Sequence, residues 1–419
     1  MKRLLYIFVL LFCCSVFPAR GNDVQPADSL DGNVCLHQER AHLRFPGSTE
    51  PYDNFLDKLN ALIYGKRKNV SIWHIGASHV QGGTFSNTVR EDFANLATGI
   101  HGNRGFLFPM KLASTNQESG YSISADGKWS STLMTKATAE TGIRYGITGF
   151  AATTSDPKAK VFFDLGKKGK GVWSFNKVRV LGYTSNGGSA APTVYYKSQP
   201  VRCTYEKLTE SYLFSLPEYT DTLSITFDIP EGQSFTLTGI QPISSSRHGV
   251  SYYSSGVNGS TTKSWVEKAI DLERDLGLIK PDLCIIGLGI NDSAGSSGKF
   301  KVDEFKDNIR ELIREVRHNS PSCAFVFITT NDCYYFASRG RMAYNSNAPL
   351  EQQAMYDLAK EFDGAVWDLY DLMGGEKSVN RWKANGLMSD DRLHFNAAGY
   401  KVLGDALFNA LIEGTDDLD

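Results

Sequence analysis

The sequence predicts an α/β protein whose parallel sheet is interrupted by an inserted all-β unit. Short apolar runs that suit buried strands alternate with amphipathic helical segments in two separated parts of the chain. Between these parts, from about Leu112 to Arg247, the pattern changes to period two and is rich in Ser, Thr, Gly and aromatics. A chain of 419 residues also favours two structural units, because domains cluster near ~100–200 residues.

The N-terminal segment has the order that is typical of a secretory signal. Basic residues at 2–3 precede the apolar run Leu4–Val16, and small residues follow it. We therefore predict a signal peptide at 1–21 and export to the periplasm or the cell exterior. Cys13 and Cys14 leave a lipid-anchored outer-membrane form open as the alternative.

Composition excludes several classes of partner. Hydrophobic residues make up 41% of the chain and charged residues 21%, with a formal net charge of −2, so no basic field favours nucleic acid. No segment after the signal reaches the ~18 continuous apolar residues of a membrane helix, so the mature chain is predicted to lack an integral membrane span. The cysteines left after cleavage lack metal-ligand spacing, and we predict no metal site.

The first α/β segment places a serine at a strand-to-helix turn. Residues 22–51 lack periodicity and are predicted to form an N-terminal tail, with order beginning directly after it, near residue 52. Apolar residues from Phe55 to Ile63 recur at helical spacing, and Val70–Ile75 suits a buried strand. A second amphipathic helix runs from Phe85 to Leu96. Ser78 lies between this strand and this helix.

The C-terminal part repeats the alternation, which is typical of a parallel sheet covered on both faces. In order, the predicted elements are a helix at Trp265–Leu276, a strand at Leu283–Leu288, a helix at Phe305–Val316, a strand at Ala324–Thr329, a helix at Ala354–Phe362, a strand at Ala365–Leu369 and a helix at Tyr400–Leu411.

The middle segment is predicted to be a β-sandwich. Leu223, Ile225, Phe227 and Ile229 alternate with polar residues, as expected for a half-buried strand. Further strands are predicted at Val161–Leu165, Phe175–Val180 and Thr193–Tyr196. The predicted organisation is a split α/β domain at 52–111 and 248–414, with the inserted β domain at 112–247.

Polar groups with catalytic chemistry follow several of the predicted strands. Ser78, in Gly76-Ala77-Ser78-His79, would be lifted out of the sheet towards the positive end of the next helix, although serine at such a turn is also a common helix cap. Asn291 follows another strand, and its amide can donate to an oxyanion or simply stabilise its own turn. The same two interpretations apply to the backbone amides of Gly256-Val257-Asn258-Gly259.

A carboxylate precedes an imidazole by three residues just before the last predicted helix. The spacing of Asp391 and His394 lets both side chains project from one turn, so that the carboxylate can fix the tautomer of a histidine that accepts the serine proton. Helix capping or exposure to solvent is the alternative for this pair.

Together, Gly-x-Ser, Gly, Gly-x-Asn and Asp-x-x-His occur in the order of the four sequence blocks of the SGNH (GDSL-like) hydrolase superfamily, and the chain resembles that superfamily. The resemblance implies a three-layer, flavodoxin-like α/β fold and a triad of Ser78, His394 and Asp391. It also implies an oxyanion hole formed by the backbone amides of Ser78 and Gly259 and the side chain of Asn291, with no cofactor.

Among SGNH enzymes, the layout is most similar to bacterial peptidoglycan O-acetylesterases, which also carry an inserted β-sandwich between the serine and glycine blocks. His79, Asn258, Arg104 and Gly105 are candidate substrate-binding residues, with structural roles as the alternative for each. One departure is Ala77, which stands where the superfamily usually has aspartate, so altered loop rigidity and lower activity are expected.

These observations predict a secreted serine esterase that hydrolyses O-acyl, and specifically O-acetyl, esters on carbohydrate such as peptidoglycan or another polysaccharide. Substrate class rests on the resemblance rather than on residue chemistry. The alternatives are a glycan-binding protein with a degenerate hydrolase domain, and a lipase or thioesterase of the same superfamily.

Overall fold

The computed structural model describes residues 36–136, 142–166, 172–337 and 341–415. The predicted signal peptide and the two cysteines considered for lipidation lie outside the described residues. Among the described residues, no helix is both long enough and apolar enough to cross a membrane.

Five parallel strands form the central sheet. They are β1 (Asn69–Gly76), β13 (Gly249–Gly256), β14 (Leu283–Gly287), β15 (Ala324–Ile328) and β18 (Ala365–Trp367). Their spatial order is β13-β1-β14-β15-β18. All residues of β15 and all but the first of β1 are buried, so both faces of the sheet are covered. This explains why these strands are continuous apolar runs rather than alternating ones.

The described residues include eleven α-helices. They are α1 (Glu50–Ile63), α2 (Ser78–Gln81), α3 (Thr84–Ala94), α4 (Thr262–Lys268), α5 (Leu272–Ile279), α6 (Ile290–Ser293), α7 (Val302–Asn319), α8 (Ala348–Phe362), α9 (Leu369–Met373), α10 (Ser378–Ala384) and α11 (Ala397–Ile412). Helix α3 packs against α11, and α7 packs against α4, α5 and α8.

Two antiparallel sheets lie between α3 and β13 in the chain. The six-stranded sheet has the order β3-β4-β12-β6-β10-β9 and the five-stranded sheet β2-β5-β11-β7-β8. Phe163 and Phe175, on strands of different sheets, pack with ring centroids 5.4 Å apart in the shared apolar core. The strands are β2 (Ser122–Asp126), β3 (Ser130–Leu133), β4 (Phe150–Thr154), β5 (Lys160–Asp164), β6 (Phe175–Thr184), β7 (Ala191–Tyr196), β8 (Gln199–Pro200), β9 (Cys203–Glu206), β10 (Ser211–Thr220), β11 (Thr222–Asp228) and β12 (Phe235–Ile243). The predicted fold class, an α/β protein with an inserted all-β region, is confirmed.

The inserted sheets are packed against the parallel-sheet region. One apolar core contains Ile75 from β1 together with Phe150 from β4, Ile147 and Trp265. The backbone amide of Ile147 donates to the Asp275 carboxylate at 3.0 Å, which adds a buried polar tie between the two regions.

Several elements differ from the sequence prediction. The predicted helix Trp265–Leu276 is two helices, α4 and α5, because the Asp271 amide donates to Tyr145 O at 3.0 Å in the inserted region. Strand β13 was not predicted. A hairpin of β16 (Tyr334–Phe336) and β17 (Met342–Tyr344) was not predicted either.

Part of the segment assigned to a tail, residues 36–51, is structured. Arg44 pairs with Val366 through two backbone hydrogen bonds of 2.9 and 2.8 Å, which extends the edge of the sheet beside β18. The guanidinium of Arg44 also pairs with Asp368 at 3.0 Å and with Asp371 at 2.5 Å. These long-range contacts, rather than any local periodicity, fix the segment in place.

Candidate active site

Three glycines form a row across the carboxyl end of the parallel sheet. Gly76 on β1 is in register with Gly256 on β13 and with Gly287 on β14. A Cβ at Gly76 would collide with Val80, and one at Gly256 would collide with the backbone of Gln81. The row therefore lets α2 sit directly against the strand ends.

Ser78 is the first residue of α2 and is half-buried. The Ala77 carbonyl accepts the amides of Val80 and Gln81 at 3.1 and 3.0 Å, which forms the tight turn that raises the serine above the sheet. Ser78 Oγ lies 2.8 Å from Nε2 of His394, although the two residues are 316 positions apart.

The Asp391–His394 turn supplies the second half of this hydrogen-bond chain. Asp391 Oδ2 lies 2.7 Å from His394 Nδ1, and Asp391 Oδ1 accepts the amides of Leu393 and His394 at 3.0 Å. Burial acts to raise the pKa of Asp391, but these hydrogen bonds outweigh it and hold the pKa below its usual value. The carboxylate is thus kept ionised beside the imidazole.

Two of the predicted oxyanion residues follow β13 and β14, with Gly259 on a loop and Asn291 in the short helix α6. Ser260 Oγ donates to Gly76 O at 3.3 Å, and Asn291 Nδ2 donates to Ser260 O at 3.0 Å, so both segments are tied to the end of β1. Nδ2 carries a second N–H that this bond does not use. Gly259 has φ +74° and faces open space, a conformation that favours glycine and leaves room for a ligand.

Gln81 organises the same edge and was not identified from the sequence. Its Oε1 accepts the Asn258 amide at 2.6 Å, and its Nε2 donates to Thr115 Oγ1 at 3.0 Å. The Asn258 side chain donates to Thr115 at 3.0 Å and to Asn116 at 2.7 Å. The sequence showed only that a polar residue lies three positions after Ser78. This did not indicate the role of Gln81, because its partners are distant in sequence.

His79 packs beside the Ser78–His394 pair rather than extending into solvent. Its Nδ1 lies 2.7 Å from the hydroxyl of Tyr400, and its ring is tilted against the ring of His394 with centroids 5.5 Å apart. Burial, with a smaller contribution from nearby His394, lowers the pKa of His79 to about 3. These contacts favour the structural alternative for this residue.

Arg104 and Gly105 are also interior. Arg104 Nη2 donates to Glu118 at 2.9 Å, and its guanidinium lies 4.5 Å from the ring centroid of Tyr121. Gly105 has φ +106°, and a Cβ there would lie 3.1 Å from Tyr252 O. Both positions have structural reasons for their residue type, so the geometry favours a role in shaping the fold over contact with substrate.

The arrangement can carry out acyl transfer with protein groups alone. It places a hydroxyl, an imidazole and an ionised carboxylate in hydrogen-bond sequence, with donor groups on adjacent loops. Within the described ranges, no group of three or more His, Cys, Asp and Glu side chains is arranged to hold a metal ion.

Comparison with known proteins gives one family match and a set of structural neighbours. The model of the GDSL-like Lipase/Acylhydrolase family matches residues 224–402, a stretch that includes Gly259, Asn291, Asp391 and His394 but not Ser78. No curated protein matches the chain.

A solved structure of a peptidoglycan O-acetylesterase is similar over 88% of this chain and 98% of its own, with 19% identity and a TM-score of 0.69. An acetyl xylan esterase structure matches 38% of this chain and 81% of its own, with 17% identity and a TM-score of 0.31. A GDSL-like lipase from Bacteroides thetaiotaomicron matches 39% and 76%, with 17% identity and a TM-score of 0.29.

The first of these structures shows that the fold is that of the SGNH hydrolases, with the inserted β region included in the matched length. The family match covers the loops at the sheet edge and the Asp391–His394 turn. Residues 224–402 of this chain are therefore similar to the GDSL-like Lipase/Acylhydrolase family, and the chain as a whole has the SGNH hydrolase fold.

Proposed function

We propose that this chain is an exported serine esterase that removes O-acyl groups, specifically O-acetyl groups, from carbohydrate such as peptidoglycan. The observation that carries the proposal is the chain of hydrogen bonds from Ser78 to His394 at 2.8 Å and from His394 to Asp391 at 2.7 Å. The similarity to a peptidoglycan O-acetylesterase along nearly the whole length of that protein supports the substrate class.

The proposed reaction has two steps. Ser78 Oγ attacks the ester carbonyl while its proton passes to His394 Nε2, and His394 then gives that proton to the departing sugar hydroxyl as the C–O bond breaks. Water attacks the acyl-serine while His394 accepts its proton, and His394 returns that proton to Ser78 Oγ as the acyl–serine bond breaks and acetate leaves. The ionised Asp391 stabilises the imidazolium that forms in each step.

The developing oxyanion is assigned to three donors. These are the backbone amides of Ser78 and Gly259 and the free N–H of Asn291 Nδ2. The ties from Ser260 to Gly76 and from Asn291 to Ser260 support this assignment, because they hold the donor loops against the strand that carries the nucleophile. Preorganised donors of this kind supply much of the rate acceleration in acyl transfer.

An exposed site suits a polymeric substrate. The side chains of His394 and Asp391 retain 31% and 25% of their exposure, so a bulky acetylated glycan can approach them at the rim of the sheet. The similarity to a peptidoglycan O-acetylesterase favours acetyl esters over the long-chain esters of a lipase.

The test is acetate release from a panel of acetylated glycans, including O-acetylated peptidoglycan, by the parent and by Ser78→Ala. We expect release by the parent alone, together with labelling of Ser78 by a fluorophosphonate probe. Labelling without acetate release would indicate a different acyl substrate. A parent that is neither active nor labelled would favour the glycan-binding alternative.

A further inference from the structure

A small cavity lies beside His79, whose ring packs against His394 of the proposed triad. Its volume is about 30 Å³, and its wall combines apolar side chains, such as Phe85 and Leu403, with a cluster of polar ones. Thr329 and Tyr400 also line it, with their hydroxyls bonded to Asp368 and His79, and the other polar members are His74, His79, Thr330 and Asn331, from β1, α2 and the loop after β15.

Each of these four side chains has one buried polar atom without a hydrogen bond of standard geometry among the described residues, and the only direct interaction among the four is a weak one between the side chains of His79 and Asn331. The atoms are His74 Nε2, His79 Nε2, Thr330 Oγ1 and Asn331 Oδ1. The other ring nitrogens are satisfied, because His74 Nδ1 lies 2.5 Å from the Tyr252 hydroxyl and His79 Nδ1 lies 2.7 Å from the Tyr400 hydroxyl. Unpaired buried polar atoms are rare and costly, so four around one cavity call for a common partner.

We propose that this cavity is a binding site for one ordered water molecule, which joins His74, His79, Thr330 and Asn331 and thereby positions His394. A buried water needs roughly 10–15 Å³ and two to four polar partners, and both requirements are met here. Burial lowers the pKa values of His74 and His79 to about 3, so both rings are neutral near pH 7 and each Nε2 exchanges a single hydrogen bond.

Two contacts connect the water site to the triad. Asn331 Nδ2 donates to Leu393 O at 3.1 Å, the carbonyl of the residue before His394. The ring of His79 packs against the ring of His394 at 5.5 Å between centroids. A water molecule that holds His79 and Asn331 would therefore fix the imidazole of His394 from behind. His79 and Asn331 are positioning residues in this proposal, since neither contacts the reacting atoms.

The first experiment is a crystal structure of the protein at high resolution. We expect a water peak in the cavity within hydrogen-bond distance, roughly 2.7–3.2 Å, of at least three of the four atoms. A cavity with no ordered density, or a direct side-chain pair that satisfies the same atoms, would overturn the proposal. This result does not depend on the proposed function.

The second experiment rests on the proposed function. It uses a substrate from which the parent releases acetate and Ser78→Ala does not. His79→Phe keeps an aromatic ring but loses both nitrogens, so we expect kcat to fall about tenfold with KM unchanged. Thr330→Val keeps the volume and removes one water partner, with an expected fall in kcat of roughly threefold. It serves as the test if His79→Phe does not fold.

The matched control is Thr238→Val, which removes a buried hydroxyl without a hydrogen-bond partner from β12 in the inserted region. We expect its kcat to equal that of the parent. A rise in KM with unchanged kcat in His79→Phe would instead mean that His79 contacts substrate, and unchanged constants in both cavity variants would refute the positioning role.

Discussion

Replacing Asn291 with alanine tests the proposed oxyanion site, because the substitution removes one donor and little else. Asn291 Nδ2 has one hydrogen bond to Ser260 O at 3.0 Å, and its second N–H is the group assigned to the transition state. Loss of one oxyanion donor typically lowers kcat by ~10²–10³-fold, or roughly 2.7–4 kcal/mol. Loss of the bond to Ser260 costs about 1 kcal/mol of folding free energy.

The two effects are measured separately. Initial rates with an acetyl ester give kcat and KM, and urea unfolding gives the free energy of unfolding. We expect kcat to fall by at least about a hundredfold in Asn291→Ala with KM nearly unchanged, because the donor acts on charge that develops only in the transition state.

Asn176→Ala is the control for the loss of an asparagine. Asn176 Nδ2 donates to Ser245 at 2.8 Å on the exposed surface of the inserted region, so this variant should keep the parent kcat. If Asn291→Ala retained kcat within about threefold of the parent, Asn291 would not be an oxyanion donor. A large loss of stability would instead mean that a low kcat results from disorder of the segment around Asn291.

Two further predictions concern buried charges. Burial raises the pKa of Glu351 well above its usual value, so the folded protein holds a proton that the unfolded chain releases, and stability falls as pH rises through that window. Glu351→Gln should therefore have a higher urea midpoint of unfolding than the parent at about pH 8 and a similar midpoint at about pH 5. The same difference between the two proteins at both pH values would contradict this prediction. Glu118 pairs with Arg104 at 2.9 Å and Arg90 at 3.5 Å, all buried, so Glu118→Gln should lower the free energy of unfolding by about 3–5 kcal/mol. The exposed Glu376→Gln is its control, and equal effects of the two substitutions would refute the argument.

The parts of the fold that local pattern determines could be predicted from the sequence. Strand β1 is an almost continuous apolar run, and the residues of β11 alternate, so each period indicated the correct element. Helix α7 presents its buried residues at helical spacing and begins and ends within a few residues of the prediction.

Strand β13 was missed because some of its buried side chains are polar. It carries Ser251 and Ser255, whose hydroxyls bond to Asn69 Oδ1 at 2.7 Å and to Trp73 Nε1 at 2.8 Å across the neighbouring strand. Such partners are more than 170 positions away in the chain, so no local window contains the signal. The break between α4 and α5 has the same origin, a contact with Tyr145 in the inserted region.

The candidate site shows the same difference between features that local pattern predicts and features that depend on long-range contacts. The spacing of Asp391 and His394 was sufficient to predict that they share a turn, and the hydrogen bond at 2.7 Å agrees with that geometry. The roles of Gln81, Asn331 and Tyr400 depend on partners from other parts of the fold, and each residue type is common at the surface of helices and loops. Pattern alone had no means to separate them from solvated side chains.

The apolar core that runs from the parallel sheet into the inserted sheets constrains how this protein can diversify. Residues such as Ile147 and Phe150 share this core with Trp265, which lies in α4 on the segment that follows the Gly259 turn, so substitutions at these positions would be transmitted to the candidate site. Tyr195 and Tyr205, each about half exposed, lie on β7 and β9 outside this core. Substitutions on the outer strands of the inserted region should therefore disturb the candidate active site less than substitutions in this shared core.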